Sequence, residues 1–132
     1  MTGTLAVGRT VGADQYLADA AAGAQAVRDV ASAVAALPAR ATPASLKAMA
    51  GDLTEPIRQA EGASQRLSAM RLEDQRLESQ RAQSATAYTQ VLAAMRRLQS
   101  AARSGEPEAA RKAAVDLDAA VQQLTQIRRT GD

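Results

Sequence analysis

The strongest fold signal in this chain lies in residues 84–127, SATAYTQVLAAMRRLQSAARSGEPEAARKAAVDLDAAVQQLTQI. Two parts of this segment repeat apolar or small residues at alternating steps of three and four, which is the spacing of one helix face. These faces are Ser84, Tyr88, Val91, Met95, Leu98 and Ala102, then Ala110, Ala113, Leu117, Ala120, Leu124 and Ile127. Ser104-Gly105 ends the first helix, and Glu106-Pro107 begins the second. We therefore predict an antiparallel helical hairpin.

Another long helix is predicted upstream, beginning at Thr42-Pro43. Thr is a favourable N-cap residue, and Pro is favoured in the first helical turn. The apolar face keeps its phase along Leu46, Met49, Leu53, Ile57, Ala60, Ser64, Leu67 and Met70. We interpret this stretch as one helix with a kink near Pro56. The alternative is a second helix that starts at Asp52, with Glu55 completing a capping box.

The first helix is predicted to begin near Asp14, as N-cap, and to end before Pro38. The inward face predicted for it consists of Leu17, Ala20, Ala24, Val27, Ala31 and Val34, with Leu37 at its end. In this phase Asp19 lies beside the apolar face. Residues 1–12, MTGTLAVGRTVG, predict a short flexible N-terminal arm or extended strand. Residues 13–130 then form a single helical-bundle domain.

Residues 71–83, RLEDQRLESQRAQ, are polar and leave two architectures open. In one, the chain turns near residues 70–75 and forms a compact bundle of four helices. In the other, it continues as one kinked helix from about Pro43 to Arg103, roughly 90 Å long at ~1.5 Å per residue, within a three-helix arrangement that a homodimer would complete. Both are all-α antiparallel bundles. We favour the compact form, because four helices bury Ala-rich faces better.

Composition argues against catalytic and metal chemistry. The chain contains no Cys and no His, which removes thiolate and imidazole ligands and the usual bases of nucleophilic catalysis. No Asp or Glu falls on a predicted apolar face, so a carboxylate metal site inside the bundle is not expected either. We expect a protein without enzymatic activity, cofactor, metal or small-molecule substrate.

Charged residues form two candidate surfaces. The polar stretch supplies a candidate partner surface: Arg71, Glu73, Arg76, Leu77 and Arg81. The hairpin supplies a candidate anion-binding ridge: Arg96, Arg97, Arg103, Arg111 and Arg128. A ridge of this kind suits an anionic lipid surface or nucleic acid. Nucleic acid is disfavoured because the net charge is only +2 and no aromatic residue is interleaved for base stacking. For both sets the simpler interpretation is solvated charge on the outside of a bundle.

The sequence therefore predicts an interaction, scaffold or assembly domain that acts through its helix faces, with a protein partner or with itself. The alternatives are a surface protein that binds anionic lipid or nucleic acid through the ridge, and the extracytoplasmic helical domain of an anchored bacterial protein. Only Lys47 and Lys112 are Lys among the 16 basic residues, which is typical of GC-rich bacterial genomes. If Met1 is the native start, we expect a cytoplasmic protein, since residues 1–12 do not resemble a signal peptide. Removal of an upstream signal would place it outside the cytoplasm.

Overall fold

A computed structural model of the chain describes residues 9–37 and 40–130. Its elements are β1 (Arg9–Val11), α1 (Ala13–Ala35), α2 (Pro43–Asp52), α3 (Thr54–Ala69), β2 (Met70–Leu72), α4 (Gln75–Ser104) and α5 (Pro107–Thr130). The fold is the predicted all-α bundle, with α2 and α3 as the two halves of one of its four helices. The two strands pair in parallel, with Arg9, Thr10 and Val11 opposite Met70, Arg71 and Leu72.

The turn between α3 and α4 confirms the compact architecture, so the continuous rod from Pro43 to Arg103 is wrong. Met70 leaves the helical conformation, with φ −92° and ψ 162°. Asp74 then begins α4, since its Oδ1 accepts hydrogen bonds from the backbone N–H groups of Arg76 and Leu77 at 2.9 and 3.1 Å. This N-cap satisfies two of the donors that a helix start leaves open.

Of the predicted N-terminal arm, residues 9–11 form the extended strand β1, and residues 1–8 lie outside the described residues. The predicted N-cap at Asp14 is wrong, because Gly12 holds the N-cap position of α1 and Asp14 lies in its first turn.

The predicted long helix is divided at Leu53, three residues before Pro56, into the separate helices α2 and α3. Leu53 keeps helical angles, φ −80° and ψ −15°, and its N–H donates to the carbonyl of Met49 at 3.0 Å. Pro56 has no N–H for the Asp52 carbonyl, so the hydrogen-bond ladder breaks there. The alternative is correct in placing a second helix here, but its capping box is wrong, because Leu53 and not Asp52 holds the N-cap position of α3, without a side-chain hydrogen bond. At the other end, Thr42 Oγ1 caps α2 as predicted.

The inward faces predicted for the three later helices are confirmed. Every residue named for the α2–α3 face and for the α4 face is buried. On α5 four of the six are buried, while Ala120 and Ile127 are half-buried. Gly105, with φ 72°, ends α4 in the left-handed conformation that glycine adopts at little cost. The local signals of these helices therefore agree with their packing.

The inward face predicted for α1 is wrong by one residue. The buried residues are Tyr16, Asp19, Gly23, Ala26 and Val30. This face has the same alternating spacing as the predicted one, but it contains a carboxylate and a glycine. The predicted face lies at the edge of the core instead, and its Leu17 is 57% exposed.

The contact of Tyr88 with α1 explains this rotation. A Cβ at position 23 would lie 2.5 Å from Tyr88 Oη and 2.6 Å from Cζ, so the ring occupies the space that any other residue would need. The Tyr88 hydroxyl donates to the Ala20 carbonyl at 3.3 Å. Asp19 is buried with partners, because its carboxylate accepts hydrogen bonds from Arg66 Nε at 2.9 Å and Gln15 Nε2 at 3.0 Å. Burial of this carboxylate is therefore compensated.

We expect Gly23→Ala to destabilise the protein by about 1–3 kcal/mol, because the added methyl group overpacks the contact with the buried Tyr88 ring. The matched control is Gly51→Ala in α2, where a Cβ would meet nothing within 4 Å. Gly51→Ala should stabilise the protein by up to about 1 kcal/mol, because alanine has a higher helix propensity than glycine. Urea unfolding of both variants measures the difference. Equal effects of the two substitutions would contradict the contact.

Candidate helix-docking groove

An apolar groove runs between α1 and α5. α1 packs mainly on α3 and α5 mainly on α4, so these two helices flank a depression of about 250 Å³ without closing it. The residues lining it are Val27, Ala31, Val34, Ala35, Met95, Ala114, Leu117, Asp118 and Val121. All of them except Asp118 are apolar. Such a surface has the character of a site for apolar protein groups.

The floor and walls of the groove differ in exposure. Met95 of α4 forms the floor and is 0% exposed. The walls are half-buried, with Val27 and Val34 on α1 and Ala114 and Val121 on α5. Half-buried aliphatic side chains on both walls leave apolar surface in water that a docked helix would cover.

The α1 wall continues beyond the groove as an uncharged flank. We call this flank the α1 flank; it consists of Leu17, Ala20, Ala24, Val27, Ala31 and Val34. These are the residues that the sequence pattern assigned to the core. The apolar arc of α1 is wider than one buried face, because the inward face and the α1 flank lie side by side. The sequence pattern therefore identified these apolar residues, but because α1 is rotated they form the α1 flank instead of the inward face.

One exposed charge, Asp118, lines the groove, and an opposite charge, Arg28, directly follows the lining residue Val27. Arg28 follows Val27 on α1, is exposed, and donates through Nη2 to Gln25 Oε1 at 2.8 Å. Asp118 on α5 is exposed and accepts from Gln122 Nε2 at 2.9 Å. Both contacts are made within one helix and with neutral amides. The site therefore combines an apolar centre with one cation and one anion at its rims.

The candidate partner surface lies at the strand end of the bundle, and the structure brings only part of it to the surface. Glu73 and Arg76 are exposed, while Leu77 is half-buried against the core. Arg71 is half-buried on β2, where Nη1 donates to the carbonyl of Met70 at 2.7 Å.

Arg81 does not lie on the surface as predicted, since it is only 5% exposed. Its Nη1 donates to the carbonyl of Leu67 near the end of α3 at 2.8 Å. Its Nε and Nη2 donate to the two carboxylate oxygens of Glu78 at 2.9 and 2.5 Å. Glu78 Oε1 in turn accepts from the backbone N–H of Leu72. This network joins the end of α3, β2 and the start of α4, so Arg81 has a structural role.

The candidate ridge is divided by ion pairs. Arg96 pairs with Glu61 on α3. Arg111 pairs with Glu108 on its own helix at 3.1 Å, and both side chains are largely exposed. Each of these carboxylates neutralises charge that an anionic ligand would need.

Of the remaining ridge residues, Arg97 does not share a face with Arg96, whereas Arg103 lies about two turns after Arg96 on the same side of α4. Arg97 is exposed on the other side of α4, where it lines a shallow depression against α5 together with Asp116. Arg103 is exposed near the end of α4. Arg128 belongs to α5, and its side chain lies outside the described residues. Among the described side chains, the structure therefore does not assemble a continuous basic surface.

A larger depression of about 520 Å³ beside β1 contains charged groups that already bind each other. Asp19 and Arg66 line it and form the ion pair described above. Across the described ranges, no cluster of three or more metal-ligating side chains occurs. In the same part of the chain, none of the helices has the length and apolar character needed to cross a bilayer.

The chain matches no protein-family model, no curated protein and no solved structure.

We expect Arg81→Met to destabilise the protein by about 3 kcal/mol, since it removes the donor to the Leu67 carbonyl and the charged partner of the partly buried Glu78 carboxylate, which keeps only the Leu72 N–H. The matched control is Arg58→Met. Arg58 also pairs with a glutamate three residues before it, but both side chains of that pair are exposed. Exposed pairs contribute little, so the control should change the urea midpoint far less. A comparable decrease of the urea midpoint in both variants would show that the burial of Arg81 does not add to its contribution to stability.

Stability should also depend on the charge of Glu78 in acid. The hydrogen bonds from Arg81 lower the pKa of the Glu78 carboxyl, the Leu72 N–H and nearby positive charge add to this, and burial opposes it. A pKa that is lower in the folded state stabilises the fold above the unfolded value of about 4.3, and this stabilisation is lost as the pH falls through the folded value. We expect the urea midpoint of the wild type to fall more steeply than that of Glu78→Gln between about pH 6 and pH 3. Parallel curves would contradict this coupling.

Proposed function

We propose that this protein is a non-enzymatic interaction domain that holds an apolar helix of a protein partner in the groove between α1 and α5. The observation that carries the proposal is the pair of half-buried apolar walls over the buried Met95. A helix with small and aliphatic residues at steps of three and four would present a matching ridge. A helix bound in the groove would remove the apolar walls from water, which favours association.

The composition supports a binding role over catalysis. Without Cys or His, the chain lacks the residues that most often act as nucleophile or general base at neutral pH. Absence of Cys also makes the proposed role independent of the redox state of the compartment. It therefore applies to a cytoplasmic domain and to an extracytoplasmic one.

The groove is better supported than binding of anionic lipid or nucleic acid through the ridge. Arg96 and Arg111 each have a carboxylate partner, and Arg97 lies on a different side of α4 from the Arg96–Glu61 pair. A ligand with many phosphates requires several cations on one surface. The groove requires only the apolar walls that the described residues already form.

Photo-crosslinking tests the proposal, because the chain has no Cys and a single introduced Cys gives a unique site. A benzophenone attached at Ala31→Cys lies in the groove, and one attached at Ala22→Cys lies on the exposed side of the same helix. When each purified, labelled variant is added to an extract of the cells that make the protein and irradiated, we expect discrete adducts from position 31 and not from position 22. Mass spectrometry of the adduct should locate the attachment on the apolar face of a partner helix. Equal adducts from both positions, or none from position 31, would contradict the proposal.

A further inference from the structure

We infer that the helix received by the groove is α1 of a second copy of this chain, in a two-fold dimer in which Arg28 of each copy faces Asp118 of the other. The inference rests on the proposed function, since it names the partner of the same groove. It follows from three properties of the described residues, namely their apolar surface, their charge and the direction of their helices.

The first property is that α1 is itself a suitable ligand for the groove. The α1 flank carries no charge along its length and contains three alanines, so a second helix can approach it closely. Its Leu17 is 57% exposed and projects from the end of the flank into water. The same surface therefore forms one wall of the groove and supplies an apolar ridge that needs cover. A surface with both properties can pair with its own copy through an isologous contact.

The second property is the sign of the rim charges. Arg28 on the α1 side and Asp118 on the α5 side are opposite in charge, and both are exposed. The amides of Gln25 and Gln122 contact them within their own helices. When α1 of one copy lies over α5 of the other, a cation approaches an anion at each rim. Complementary charge at the rim of an interface favours the correct partner and register.

The third property is the direction of the two helices. α1 runs in the same direction as α4, because Tyr16 bonds to Gln80 and Ala20 bonds to Tyr88. α5 runs opposite to α4 in the hairpin, so it is antiparallel to α1. Val27 and Asp118 line the same groove, which places Arg28 and Asp118 at a similar level along the bundle.

A two-fold axis parallel to the groove keeps Arg28 of one copy and Asp118 of the other at a similar level along the bundle. It lays α1 of each copy over α5 of the other and brings both Arg28–Asp118 pairs together at once. The dimer therefore covers both grooves and both α1 flanks in one closed contact, leaving no open end for further assembly.

Sedimentation equilibrium of the full chain over about 1 µM to 1 mM tests this assembly. We expect the mass to rise toward twice the 13.7 kDa of one chain. Ala31→Glu places a charge in the groove at an exposed position, so the variant should still fold, as checked by circular dichroism. It should shift the dimerisation midpoint about 100-fold to higher concentration, because the carboxylate would be buried without a partner.

Charge exchange tests the register separately. Arg28→Asp and Asp118→Arg should each weaken the dimer about tenfold, because each places like charges opposite one another twice per dimer. The double variant Arg28→Asp/Asp118→Arg restores both pairs and should regain wild-type association. Lys112→Asp changes the charge by the same amount on the exposed side of α5 away from the groove, and it should leave association unchanged.

A wild type that stays monomeric over the whole range would overturn the inference, as would a dimer that is insensitive to Ala31→Glu. Failure of the double variant to recover would overturn the Arg28–Asp118 register. These results are distinguishable from failure of the proposed function. A monomeric chain whose position 31 still crosslinks to a helix of another protein retains the proposed function and loses only the second copy as partner.

Discussion

The ring of Tyr88 packs against the backbone of α1 at Gly23, and this contact sets the rotation of α1 about its own axis. Position 23 has no space for a side chain there, so only a glycine lets the ring approach this closely. With Gly23 turned inward, Asp19 must also turn inward, where Arg66 and Gln15 satisfy its carboxylate. The α1 flank is consequently turned away from the centre of the core. The exposure of the proposed docking surface is thus a direct result of one aromatic contact.

The composition explains why the bundle leaves such a surface uncovered. The chain has no Phe or Trp, and its two tyrosines, Tyr16 and Tyr88, are both buried. Alanine-rich helices approach closely where they touch, but each contact buries little apolar area. α5 packs mainly on α4, and the residues that it turns toward α1, which include Ala114 and Val121, do not close the space between the two helices. A bundle of this kind retains apolar walls that a second helix can cover.

Polar residues hold the opposite end of the bundle together. Arg81 links the end of α3 to Glu78 on α4, and Glu78 accepts the N–H of Leu72 on β2. These bonds keep the chain turned between the two helices in a segment that has no glycine or proline. Part of the segment that resembled an exposed charged surface is therefore a structural connection, while Glu73 and Arg76 remain exposed. None of its residues lines the groove.

The sequence by itself determined the all-helical fold, the caps at Thr42 and Gly105 and three of the four inward faces, because periodic spacing and capping are local properties. Thr42, Gly105 and the α4 and α5 faces could be predicted for this reason. Only the tertiary structure decided which face of α1 turns inward, since its two candidate faces have the same spacing and the choice depends on Tyr88, far away in sequence. It also decided that Arg81 is buried, because a basic residue in a polar segment gives no local sign of a distant carbonyl partner. The groove depends on the packing of α1 and α5 around α4, and no single segment contains that information.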